Sequence, residues 1–154
     1  MTDIVFVATA GRMPDTWTEV VRALPADFTP GLPNLAVTGL EQYLDRQELR
    51  RVVLVGHGTG ALAALALART QPQRVSHLVL AEIPDTAPTA RAVRLLPRFL
   101  LRRRGVDKQA MLDSLATAAD LDAPVPTLVT GATYTSDAAG FVAEIREFLS
   151  ANPA

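Results

Sequence analysis

Apolar residues fall along this chain in two alternating rhythms. Asp3-Ile4-Val5-Phe6-Val7-Ala8, Val52-Val53-Leu54-Val55 and Val75-Ser76-His77-Leu78-Val79-Leu80-Ala81 are near-continuous apolar runs, the pattern of strands covered on both faces. Pro124-Val125-Pro126-Thr127-Leu128-Val129-Thr130-Gly131 reads as the last strand. Phe28 to Pro33 contains two prolines and can supply only a short strand at an edge. Between these runs the period becomes helical. Trp17, Val20, Val21 and Leu24 lie on one face of a helix that Asp15 or Thr16 can cap and Pro25 ends. Thr38 to Leu49 places Leu40, Tyr43 and Leu44 together. Lys108 to Ala119 and Phe141 to Leu149 repeat the pattern. Strands alternating with helices predict a three-layer α/β sandwich around a parallel sheet of about five strands, joined by right-handed crossovers.

The centre of the pattern is Arg51 to Ala68, RVVLVGHGTGALAALALA. A strand runs into Gly56-His57-Gly58-Thr59-Gly60, and a helix of small and aliphatic residues follows at once. Such a turn lifts one residue to the top of a parallel sheet and turns backbone N–H groups toward whatever sits there. The glycines admit two readings. Gly56-x-Gly58-x-x-Ala61, with Glu82 at the end of the next strand, fits a dinucleotide fingerprint. That fingerprint normally opens its domain, whereas here a full strand-helix-strand-helix precedes it and one strand follows Glu82. The second reading is a nucleophile elbow.

Composition narrows the chemistry. The chain has 154 residues, 49% of them hydrophobic and 20% charged, with a net charge of −1. That is enough for a single core, and it supplies no field to attract nucleic acid or an anionic membrane. Cysteine is absent, which removes disulfides, thiolate metal sites and thiol nucleophiles. Histidine occurs only at 57 and 77, so metal and acid–base schemes have little material, and no metal or cofactor is expected. Met1-Thr2-Asp3 has no basic n-region and no run reaches the roughly 20 apolar residues of a membrane span, so the expectation is a cytoplasmic protein.

Val52 to Gly60, Pro72-Gln73-Arg74-Val75-Ser76-His77-Leu78-Val79-Leu80 and Val125 to Gly131, in this order and spacing, resemble the α/β-hydrolase superfamily. Trp17 and the closing Ile145-Arg146-Glu147-Phe148-Leu149 fit the same resemblance. It implies one domain over 1–154, a reduced member of the fold with strand order 2-1-3-4-5, and a lid or helical insertion at 86–120. It also implies a serine nucleophile at position 58, where this chain has glycine. The implied acid falls near Tyr134, the implied histidine near Thr135-Ser136-Asp137, and the family's His-Gly after the first strand near Ala8-Thr9. Ser-His-Asp hydrolysis is therefore not expected.

The remaining candidates cluster at the strand ends. Glu82, Tyr134 and His57 are the candidate proton-transfer residues. His57 also has a supporting reading beside the elbow, and Glu82 that of a solvated loop carboxylate. The N–H of Thr59 and, by the resemblance, that of Ala10 are candidate oxyanion donors. Gly11, Met13, Gly58 and Phe99 complete the expected ligand surface. His77, near the start of its strand, is expected to be structural or at the surface. Val93, Leu95, Leu96, Phe99, Leu100 and Leu101 exceed what one helix face buries, which points to an apolar small-molecule ligand, a homodimer contact, or both. The arginines at 102–104 read as a solvated face.

Two functions follow: a cofactor-independent isomerase, cyclase or lyase that reuses the elbow, or a non-catalytic binding or interaction protein. A residual esterase and a dinucleotide-binding domain are the further alternatives.

Overall fold

The computed structural model describes residues 2–8, 17–34, 39–82, 123–130 and 137–153. The segment 86–120 lies outside them, as do Ala10, Gly11, Met13, Phe99 and Tyr134. The described residues form a five-stranded parallel sheet: β1 (Thr2–Val7), β2 (Phe28–Gly31), β3 (Val52–His57), β4 (Val75–Ala81) and β5 (Thr127–Thr130). Its order is β2-β1-β3-β4-β5, as the resemblance implies. The helices are α1 (Thr18–Ala23), α2 (Leu40–Arg46), α3 (Thr59–Thr70) and α4 (Ala138–Ala151), with a 3-10 turn at Pro72–Arg74.

Side-chain alternation builds two interiors. Ile4, Phe6, Val53, Val55, Val79 and Ala81 face α1 and α4, where they meet Trp17, Val20, Phe141, Val142 and Ile145. Trp17 is fully buried, its ring 5.0 Å from that of Phe6 and 6.2 Å from that of Phe141. Opposite, α3 packs on β1, β3 and β4. Its buried Gly60, Ala61, Ala64 and Ala68 let the helix axis approach the strands closely.

Several boundaries differ from the pattern. β3 continues through Gly56 and His57, which pair with Leu80 and Ala81 although the apolar run has ended. β5 begins only at Thr127, after Pro124 and Pro126. α4 starts earlier than its apolar stripe because the Asp137 carboxylate accepts from the N–H of Gly140 at 2.9 Å. β2 includes Pro30 and lies at the edge, as expected. No helix among the described residues is long and apolar enough to cross a membrane.

Candidate functional site

The sheet reverses its strand order between β1 and β3, because β2 lies to one side and β4 and β5 to the other. In open parallel sheets the ligand crevice forms outside the carboxyl ends at such a switch point. β3 ends there, at His57, and Gly58 follows it. Gly58 has φ 59° and ψ −125°, a conformation that disfavours any β-carbon. Its N–H donates to the carbonyl of Ala81 at 3.0 Å, and its carbonyl accepts from Ala61 at 3.1 Å as α3 begins. Gly60 answers a second constraint. A β-carbon there would collide with the main-chain carbonyls of Val7 and Ala8, so glycine lets the first turn of α3 lie against the end of β1. Thr59 opens α3, whose N-terminus carries the positive end of the helix dipole.

Two side chains converge beside the glycine. His57 Nε2 lies 2.6 Å from Glu82 Oε2, although the residues are 25 apart in sequence. An ionised carboxylate only accepts, so with Glu82 charged Nε2 is the donor of this bond. The pair arises because His57 ends β3 in register with Ala81, and Glu82 follows Ala81 directly. His57 points to the α1 side, where its ring meets the edge of Trp17 at 6.3 Å between centroids. Its side chain is 12% exposed, and that of Glu82 36%, so the carboxylate is the accessible partner. Glu82 also has a positive φ of 46°, and its N–H donates to the carbonyl of Thr130 at 3.1 Å. Left-handed backbone on a glutamate is uncommon.

The structure thus brings together His57, Gly58, Thr59 and Glu82 from the sequence candidates. His77 is buried at the other end of the sheet, its Nε2 bonded to the main-chain oxygen of Asn152 and its ring edge-on to Phe148 at 5.7 Å. It is structural. Asp137, near the position implied for the family's histidine, caps α4. An open groove of about 610 Å³ lies at the amino ends of the strands, lined by Leu44, Asp45, Glu48, Leu49, Arg50 and Arg74. Arg74 is committed there to Asp45 at 2.8 Å and to the carbonyl of Leu49 at 3.3 Å, and no candidate from the sequence lies in it. Among the described residues no group of histidine and carboxylate side chains could hold a metal.

No protein-family model matches the chain, and no curated protein matches it. Solved structures do. An α/β-hydrolase enzyme from a lagoon-sediment metagenome superposes with TM-score 0.65 at 15% identity, covering 97% of this chain and 91% of the other. NosK from Streptomyces actuosus gives 0.62 at 15% identity over 99% of each chain. A hydrolase from Pseudomonas aeruginosa gives 0.53 at 20% identity, over 93% of this chain and 77% of that one. The fold is that of the α/β-hydrolases. It is a reduced form, with five parallel strands and helices on both faces among the described residues. Gly58 stands at the strand-to-helix turn between β3 and α3 of this fold, the position where the sequence resemblance implies a serine.

Proposed function

We propose that the protein catalyses proton transfer on a small apolar substrate without hydrolysis and without a cofactor. The observation that carries this reading is the His57–Glu82 bond of 2.6 Å beside a glycine elbow. Glu82 is the general acid/base. His57 donates to one carboxylate oxygen and stabilises its charge, as buried donors to carboxylates do. The N–H of Thr59 at the start of α3 stabilises the negative charge that develops on the substrate as the proton leaves. An acyl-enzyme needs a nucleophile, and Gly58 offers none, so the reaction class is isomerisation, cyclisation, elimination or decarboxylation. Tyr134 is the proposed further donor, and Ala10, Gly11 and Met13 the proposed ligand surface.

The test uses 5-nitrobenzisoxazole, a small apolar probe that opens to a cyanophenolate when a base removes its C–H proton and the N–O bond breaks. The chain is expected to accelerate this elimination, and Glu82→Gln to slow it by about 100-fold or more, the usual range for a general base. The same chain should leave p-nitrophenyl acetate at its background rate of hydrolysis. No elimination above that of free acetate, with the fold intact by circular dichroism, would sink the catalytic reading in favour of a non-catalytic ligand-binding protein.

A further inference from the structure

Glu82 is held in its left-handed conformation by bonds from neighbouring elements. The preceding carbonyl, that of Ala81, is bound by Gly58, and the carboxylate is bound by His57. The third bond comes from β5, an edge strand of four residues, where the carbonyl of Thr130 takes the N–H of Glu82 at 3.1 Å. Thr130 is itself anchored. Its hydroxyl is buried and donates to Glu144 Oε2 on α4 at 3.1 Å. One residue therefore receives the backbone of Glu82 on its carbonyl and holds a helix carboxylate on its side chain.

We propose that Glu144, acting through Thr130, is a positioning residue for Glu82. The inference rests on Glu82 as the acid/base group and names what aims it. If the end of β5 is released from α4, the Glu82 N–H bond loosens and φ returns toward the common regions. The carboxylate then swings away from His57. Glu144 does its work from α4, with no contact to the reacting atoms required.

The test is a ring-proton spectrum of the ¹⁵N-labelled chain. There are two histidines, and each places Nε2 on an acceptor, His57 on Glu82 and His77 on Asn152. Two downfield ring N–H resonances are expected, and His57→Gln assigns them. Thr130→Val and Glu144→Ala should lose the His57 resonance and keep that of His77. Thr130→Ser and Glu144→Gln, which preserve the donor and the acceptor, should keep both. A His57 resonance unchanged in Thr130→Val and Glu144→Ala overturns the proposal. Should Thr130→Val unfold and lose both signals, Glu144→Ala decides alone, because Glu144 is only half-buried on its helix. The spectrum does not depend on turnover. If 5-nitrobenzisoxazole is not opened while this pattern holds, the functional reading falls and the positioning role stands.

Discussion

Gly58 donates its N–H to the carbonyl of Ala81 at 3.0 Å, so the summit of the elbow is tied to the residue immediately before Glu82. The bond makes the turn after β3 and the end of β4 one mechanical unit.

Placing a hydroxyl at position 58 should not create hydrolysis. Gly58→Ser places a β-carbon at φ 59°, ψ −125°, which costs on the order of 1–3 kcal/mol. The melting temperature should fall, and p-nitrophenyl acetate turnover should stay at the level of the parent chain. His57 is already bonded to Glu82, and His77 is buried at the far end of the sheet. A burst of nitrophenolate from Gly58→Ser would show that some other group activates the serine.

Gly60→Ala tests the contact between α3 and β1. The added methyl meets main-chain oxygens of Val7 and Ala8, which cannot rotate away as a side chain can. Overpacking of this kind costs about 1–3 kcal/mol, and the upper end is expected here because both obstacles are backbone. Urea unfolding should show a lower midpoint with an unchanged slope.

The end of α2 offers a change in the opposite direction. Glu48 has φ 54° and its N–H bonds to the carbonyl of Asp45, while the N–H of Leu49 reaches Leu44 at 2.9 Å. This is a Schellman ending whose left-handed position is usually glycine. Glu48→Gly should stabilise the chain by about 0.5–1 kcal/mol, the strain relieved less the added freedom of the unfolded chain. Chemical denaturation reads the gain directly, and a loss of stability would show that the Glu48 side chain holds something the backbone geometry does not reveal.

Tyr43 predicts the alkaline side of the stability profile. Burial raises its phenol above the ordinary value, against a smaller lowering from a hydrogen bond with the backbone of Leu32. The folded state therefore holds the proton more tightly than the unfolded chain. Its contribution is fully present below pH of about 10 and is lost as pH rises through the folded-state value. Tyr43→Phe should flatten the decline in stability above that pH, measured by thermal unfolding across an alkaline series.

The fold was legible because its signals are continuous. Three uninterrupted apolar runs, an edge segment marked by Pro30 and a glycine turn between β3 and α3 leave few other topologies. The candidate site was legible only in part. The turn residues advertise Gly58 through composition, and the end of β4 singles out Glu82 by position. Nothing local to Glu82 signals a positive φ, since that conformation is imposed by Thr130 and His57 from other strands. The boundary of β3 was missed for a related reason: backbone pairing with β4 continues past the last apolar side chain. Thr130 and Glu144 escape sequence reading because each is an ordinary residue in its own element, and only the packing of α4 against β5 joins them.

Pro30 has a consequence for assembly. A proline in a parallel sheet tolerates only the rim, with its missing donor turned outward. The flank beyond β2 therefore presents an interrupted row of donors on a strand of four residues. A second copy arriving there finds no regular ladder to extend, so this side of the molecule resists the strand-by-strand growth that leads from sheets to fibres.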